Sequence, residues 1–350
     1  MVVARRPSVK PCNVPRGGHA LHVHPARLDR RAPSHDNTPM SASHTPHGHR
    51  SGFVAVVGRP SVGKSTLVNA LLGQPVAPIS PRPQTTRTRQ LGILTRPDAQ
   101  VILIDTPGLH APRNLLGERL NAAAREALQD ADVVLALFDL SSPPTPEDAR
   151  LAQAVRAARR PPPVVVGLNK LDTVPAGRLA PRVAAFHALL PEAREVMAFS
   201  ALRGDECRAL LERVVAHLPQ GPLYYPEHEV TDRSERAIAG DLVRAAAMHL
   251  LHDEVPYGIQ VEVDEYTERA ARGAYIEATL YVERESHKGI VIGKGGAMLR
   301  AIGARARAAI EAMSGRRVYL ALRVKVLAGW RDDPEALARF GFSGGGASPL

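Results

Sequence analysis

The sequence predicts two folded units in series, an α/β domain with a doubly wound, mostly parallel sheet and then a smaller α+β domain. Three observations carry this. From Phe53 onward, apolar runs alternate regularly with helical patterns, and continuous Val/Ile/Leu runs of that kind are parallel strands buried on both faces. At "PQGPLYYPEHEVTD", just past Leu218, prolines, glycine and charge interrupt the alternation as a linker does. Beyond it the strands alternate, with Ile276, Ala278, Leu280 and Val282 on one face.

The first domain is expected over residues 51–218, the linker over 219–231, the second domain over 232–330 and a tail over 331–350. Its strands are read at "FVAVVG", "QVILIDTPG", "DADVVLALFDL", "PPPVVVGLNK" and "EVMAFSAL", and ligands of such a sheet gather at the carboxyl ends of the strands. Residues 1–50 are rich in Pro, Ser and Gly, hold seven of the 14 histidines, and supply +6 of the net charge of +10. Such a composition cannot offset its ordering entropy and reads as a disordered extension. Its histidines, including His19, His22 and His49, read as solvated low complexity, with weak metal binding as the sharper alternative, and Met40 is an alternative start. The body is then only mildly basic. No run approaches the roughly 18 apolar residues of a membrane span, and Cys12 and Cys207 are the only cysteines. A soluble, intracellular protein without a disulfide framework is expected.

Gly58, Arg59, Pro60, Ser61, Val62, Gly63, Lys64 and Ser65 spell G-x-x-x-x-G-K-S between a strand and a helix that continues through Thr66. That context makes the pattern a phosphate-binding loop, whose backbone N–H groups and helix N-terminus face an anion. Lys64 is expected to reach the β- and γ-phosphates, and the Ser65 hydroxyl to ligate Mg²⁺. Asp105, Thr106, Pro107 and Gly108 end the next apolar run, placing the Asp105 carboxylate to hold Mg²⁺ through water and the Gly108 amide to sense a γ-phosphate. Asn169, Lys170 and Asp172 end another strand. A carboxylate there accepts from N1–H and the 2-amino group of guanine, and adenine would leave it unpaired, so GTP and GDP are expected and ATP rejected. Ser200 and Ala201 are placed to complete the base pocket.

The stretch "GQPVAPISPRPQTTRTRQ" is long and without periodicity, as a functional loop is. It is the candidate first switch, with Thr86 as the Mg²⁺-seeking hydroxyl and Thr85 as the second choice. Leu109 follows the D-T-P-G segment, where small GTPases carry a water-orienting glutamine, so slow intrinsic hydrolysis is expected. In the second domain an α-β-β-α-β order surrounds "HKGIVIGKGGAMLRAIG". Gly293, Lys294, Gly295 and Gly296 form a G-x-x-G loop that admits a nucleic-acid backbone, and His287, Lys288, Arg300, Arg305 and Arg307 lie near it in sequence, with single-stranded RNA the expected ligand.

The succession GRPSVGKS, QTTR, DTPG, NKLD and FSA, followed by "YYPEHEVTDRSER", "HKGIVIGKGG" and "VKVLAGWRDDPEALARFGF", resembles the Era family of bacterial GTPases over residues 52–342. The resemblance implies a P-loop GTPase domain joined to a type II KH domain. It implies a protein that acts in maturation of the small ribosomal subunit by gripping single-stranded RNA near the 3′ end of 16S rRNA. It also implies a cytoplasmic monomer with peripheral association with the inner membrane. Ser61 stands where potassium-using relatives often carry asparagine, which weakens the expectation of a K⁺ site. No second phosphate-loop motif exists, which argues against a tandem GTPase. A nucleotide-gated RNA-binding module with negligible hydrolysis is the alternative that Leu109 leaves open.

Overall fold

The computed structural model describes residues 48–80, 82, 84–158, 162–269 and 273–342. The expectations for residues 1–47, six of the seven histidines and Met40 among them, fall outside the described residues.

The first domain runs β1 (Arg50–Gly58), α1 (Lys64–Leu72), β2 (Gln90–Thr95), β3 (Ala99–Asp105), α2 (Leu115–Asp130), β4 (Val133–Asp139), α3 (Pro146–Arg156), β5 (Val164–Asn169), α4 (Ala176–His187), β6 (Glu195–Ala198) and α5 (Cys207–His217). The strands form one six-stranded sheet in the order β2-β3-β1-β4-β5-β6. Alternate residues of β1 point to opposite faces, as pleating requires. Phe53, Ala55 and Val57 enter the core that Leu128, Leu151 and Phe186 close, while Val54 and Val56 enter the core closed by Leu67, Leu210 and Val214. Local signals start the helices. Asn114 accepts from the Gly117 amide at 2.9 Å to cap α2, and Thr145 and Asp148 form a reciprocal capping box on α3.

Strand β2 is not among the elements read from the sequence. Its six residues include a glycine, and it pairs antiparallel with β3 at the sheet edge, where the parallel-sheet pattern does not apply. The linker also differs from a free tether. The Val230 carbonyl accepts from the Ile93 amide at 2.8 Å and Asp232 Oδ1 from the Leu91 amide at 3.0 Å, so the chain runs along the β2 edge. Gln100 Oε1 accepts from the amides of Tyr224 and Tyr225. An exposed strand edge leaves backbone groups unpaired, and this segment covers it.

The second domain runs α6 (Glu235–Leu250), β7 (Gln260–Arg269), β8 (Gly273–Val282), α7 (Glu285–Ile292), α8 (Ala297–Ser314) and β9 (Arg317–Val326). Its three strands lie in the order β7-β8-β9, the first pair antiparallel and the second parallel. Ile276, Ala278, Leu280 and Val282 share one buried face with Ile302, Ala306 and Ile310 of α8, as the alternation predicts.

Two expectations about the ends are corrected. The tail read over 331–350 is folded as far as Phe342, and residues 343–350 lie outside the described residues. Its helix α9 (Pro334–Arg339) carries Leu337 into a small core with Leu116, Leu120 and Trp330, so the segment docks on α2 of the first domain. Burial of two large apolar side chains offsets the ordering cost that polar neighbours alone would not. At the other end, His49 is no solvated tail residue, because its ring is buried and its Nδ1 lies 2.9 Å from the Gly221 carbonyl oxygen.

Candidate nucleotide and RNA sites

Strand register brings the candidate residues to one edge. Val56 pairs with Asp105, Gly58 with Leu137 and Asp139 with Asn169, so the carboxyl ends of four parallel strands align. β1 lies between β3 and β4, with helices on both faces, which is where an open α/β sheet offers its ligand crevice. A narrow cleft opens there between Pro60, Lys64, Ser65, Ile79, Thr86 and Gly108.

Gly63 caps α1 at φ 100°, and a Cβ added to it would sit 2.2 Å from Asn169 Nδ2, so the backbone can pass there only as glycine. Asn169 uses that closeness to donate to the Val62 carbonyl at 2.7 Å, tying the base-recognition strand to the phosphate loop. Lys64 Nζ is buried and folds back onto the Gly58 and Arg59 carbonyls, each at 3.1 Å. Burial pushes its pKa down to about 8, with Arg59 adding to the effect and Asp105 opposing it. A polyphosphate in the cleft would supply negative charge that raises that pKa again and holds the ammonium form.

Three hard oxygen donors converge beside Lys64. Ser65 Oγ donates to Asp105 Oδ2 at 2.8 Å and lies 2.9 Å from Thr86 Oγ1, which is itself 3.3 Å from Asp105 Oδ2. Gln90 Nε2 steadies the same oxygen at 3.1 Å, while Asp105 Oδ1 is buried with no partner. An unsatisfied carboxylate oxygen among hydroxyls suits Mg²⁺, which takes oxygen ligands, keeps several waters and binds with substrate phosphates. No cluster of three or more His, Cys, Asp or Glu side chains offers another metal site among the described residues. Of the two threonines named for the switch, Thr86 faces this cluster, and the Thr85 hydroxyl turns away to donate to the Arg82 carbonyl at 2.8 Å.

On the β5 side of the phosphate loop, Asn169 Oδ1 accepts from the Lys170 and Ala201 amides at 2.8 and 3.0 Å. Asp172 Oδ1 accepts from Ser200 Oγ at 2.6 Å, which aims the carboxylate that would read the base. Lys170 adopts φ 69° and sends Nζ to Asp139 Oδ2 at 2.7 Å. Asp139 is a residue that sequence reasoning missed. Burial alone would raise its pKa, yet hydrogen bonds from Lys170 and Ser141 hold it below the usual carboxylate range. It also pairs with Arg59 at 3.1 Å, and Arg59 reaches Asp148 at 3.3 Å. The available signal was an acidic residue closing a buried strand. Leu109 is buried in the sheet's core and its amide lies 3.3 Å from the Gly58 carbonyl, so it directs no polar group at the cleft.

In the second domain α7 and α8 meet at the glycine loop. Gly293 (φ 70°) must be glycine, because a Cβ would lie 2.8 Å from Met298 Cβ and 2.9 Å from its amide nitrogen. Lys294 projects into solvent at the loop. Ile290 is 50 % exposed beside it, a combination of apolar surface and positive charge suited to bases and phosphates. Lys288 sits one turn back, 3.7 Å from Glu285. Arg300 donates to the Gly295 carbonyl at 2.7 Å and so also braces the loop. His287 is a correction, since its ring is 5 % exposed on the inner side of α7 and is not presented to a surface ligand. Helical periodicity places it with Val291, four residues on, which is fully buried.

Residues 53–170 match a family described as 50S ribosome-binding GTPase, and residues 254–331 match the KH domain. The chain is 45 % identical over 295 residues to GTPase Era of Mycobacterium avium, covering 84 % of this chain and 99 % of that one. Against the GTPase Era of Mycolicibacterium smegmatis it is 45 % identical over 296 residues, with the same coverage. Among solved structures it resembles Era in complex with MgGDPNP and nucleotides 1506–1542 of 16S ribosomal RNA, with TM-score 0.80, 39 % identity and coverage of 84 % and 99 %. A structure of Aquifex aeolicus Era bound to GDP and AlF4⁻ matches with TM-score 0.79 at 39 % identity, covering 84 % of this chain and 99 % of that one. With its phosphate loop, guanine-reading segment and glycine loop in these places, the chain belongs to the GTPase Era family.

Proposed function

We propose that this protein is a GTP-driven switch that grips single-stranded RNA near the 3′ end of 16S rRNA and assists maturation of the small ribosomal subunit. It works as a cytoplasmic monomer, and the peripheral membrane contact implied by the resemblance belongs to the same reading. No helix among the described residues is long and apolar enough to cross a membrane. The observation that carries the proposal is the convergence of Ser65, Thr86 and Asp105 in a chain whose solved relative holds a magnesium nucleotide and 16S rRNA together.

In this reading Lys64 and the loop amides hold the phosphates, and Ser65, Thr86 and Asp105 surround Mg²⁺, which neutralises charge developing on the transferred phosphoryl group. Asp172 selects guanine. The Gly108 amide and Thr86 report the γ-phosphate, and Leu109 leaves the attacking water without a polar guide, so intrinsic turnover is slow. Lys294, Lys288 and the Gly293–Gly296 backbone receive the RNA. Positive coupling between GTP and RNA follows, because the loop bearing Thr86 touches both domains. The expected coupling is about 1 to 3 kcal/mol, and it is reciprocal. RNA titrated against protein loaded with GDP or with a non-hydrolysable GTP analogue tests it, and equal RNA affinities would leave two independent binding modules. Turnover measured with and without RNA discriminates this reading from a nucleotide-gated module that scarcely hydrolyses GTP, and turnover that RNA leaves negligible would favour the module.

A further inference from the structure

The loop that carries Thr86 is held from two sides, and the second side is the KH domain. Arg244 of α6 is only 2 % exposed and donates Nη2 to the Thr85 carbonyl at 2.6 Å and Nη1 to the Gln84 carbonyl at 3.3 Å. Its own helix anchors it, through Asp241 Oδ1 at 2.8 Å and Met248 Sδ at 3.6 Å. One residue past Thr86 the direction reverses. Arg87, also 2 % exposed, sends Nη1 to the Ile259 carbonyl at 2.6 Å and to Gln260 Oε1 at 3.2 Å, and Nη2 to the Tyr257 carbonyl at 2.8 Å. Its guanidinium stands 5.6 Å from the centre of the Trp330 ring. Each domain therefore buries a cation among the other's oxygens, and the two insertions bracket Thr86.

A guanidinium keeps its charge and has five N–H donors to satisfy, so burying it is tolerable only where oxygens are already in place. Arg87 has three neutral oxygens and a ring, and its Nε is buried without a partner. Burial first, then the Arg244 and Arg331 charges, push its pKa well below the usual guanidinium range. Such contacts are directional. A shift of the Thr85–Arg87 backbone by more than about an ångström takes these bonds past normal hydrogen-bond length on both arginines at once. The switch loop and the domain interface are thereby tied into one element.

We propose that Arg244 and Arg87 are positioning residues for Thr86, a reciprocal arginine clamp through which the KH domain sets the switch threonine against the magnesium cluster. The proposal rests on the reading of Thr86 as a magnesium ligand and deepens it, because the GTPase domain then depends on its neighbour to present that ligand.

The test uses full-length protein as wild type, Thr86→Ala, Arg244→Met and Arg244→Lys. Affinities for GDP and for a non-hydrolysable GTP analogue are measured across a Mg²⁺ titration, and amide hydrogen exchange is followed at residues 85–88. Arg244→Met should lower the preference for the analogue over GDP at least tenfold and raise the Mg²⁺ midpoint for the analogue by a similar factor. Exchange at residues 85–88 should quicken in the analogue-bound state, and GDP affinity should stay within twofold. Arg244→Lys, with one ammonium for two carbonyls, should recover part of the loss and gives the reading if the Met variant does not fold. If Thr86→Ala lowers the preference and neither Arg244 variant does, the clamp is overturned and the magnesium reading stands. If GDP and analogue affinities fall together in the Arg244 variants, the arginine is merely structural and the clamp is again overturned. If Thr86→Ala changes nothing, the magnesium reading itself fails.

Discussion

In the proposed function the Asp172 carboxylate sets nucleotide choice. Ser200 Oγ fixes one of its oxygens at 2.6 Å, leaving the group oriented as an acceptor. Asp172→Asn should weaken GTP binding by about a hundredfold, roughly 2.7 kcal/mol, and improve binding of xanthosine nucleotides, because an amide can donate where the carboxylate only accepts. Competition binding with GTP, XTP and ATP measures both effects, and equal affinity of the wild type for ATP and GTP would defeat the base-pocket assignment. Lys64→Ala should abolish tight nucleotide binding, since it removes the buried ammonium that the loop holds against the Gly58 and Arg59 carbonyls. Leu109→Ala is expected to change hydrolysis by less than about a hundredfold, some 2.7 kcal/mol of barrier. Because Leu109 is buried in the core of the sheet, the same change should lower stability by about 2 to 5 kcal/mol. Single-turnover hydrolysis at a temperature where the variant remains folded separates the two consequences.

Among elements, the loop joining α7 to α8 separates structural glycines from an accessible one. Gly293 is locked against Met298, whereas a Cβ at Gly295 meets nothing within 4 Å. Gly295→Asp therefore adds its bulk and charge to open surface, and its φ of 56° lies in a region that Asp tolerates better than most residues. RNA binding should be lost, with GTP affinity in the absence of RNA unchanged. Filter binding of a 16S rRNA 3′ fragment beside nucleotide titration measures the two, and a parallel loss of GTP affinity would contradict the independence of the loop from the nucleotide site. The linker shows the opposite relation between element and sequence. Its proline-rich composition reads as a linker, and which partners its backbone groups find along the β2 edge is something no composition could indicate.

At the scale of the whole molecule, Trp330 joins the two domains. It is fully buried, donates Nε1 to the Gly258 carbonyl at 2.9 Å, and packs with Leu116, Leu120 and Leu337 between the KH domain and α2. The Leu116 amide also donates to the Arg331 carbonyl at 2.9 Å, and the Leu115 amide to Asp332 Oδ1 at 2.9 Å. Trp330→Ala should cost about 3 to 5 kcal/mol at this junction. Urea unfolding should then change from one transition to two, because each domain keeps its own core while their docking is lost. A single transition with an unchanged midpoint would show that the junction contributes little.

The candidate nucleotide site was legible in the sequence because its motifs are local. A strand, a glycine turn and a helix N-terminus are contiguous from Phe53 to Leu72, and the residue types at Lys64, Asp105, Asn169 and Asp172 name their own ligands. The glycine loop at Gly293–Gly296 was legible for the same reason. Tertiary structure decided between Thr86, the first choice from the sequence, and Thr85 as the hydroxyl beside Ser65 and Asp105, and it alone showed that His287 and His49 turn inward, that Asp139 anchors Lys170, and that residues 331–342 fold back onto α2. Arg87 and Arg244 belong with these, for Arg87 closes the QTTR segment and Arg244 lies 157 positions on, with nothing in the sequence to set either against the other's domain. Their meaning comes from which oxygens lie opposite them. That depends on how two separately patterned domains meet, and hydrophobic periodicity describes the inward face of each domain, not the polar partner that its outer face will find.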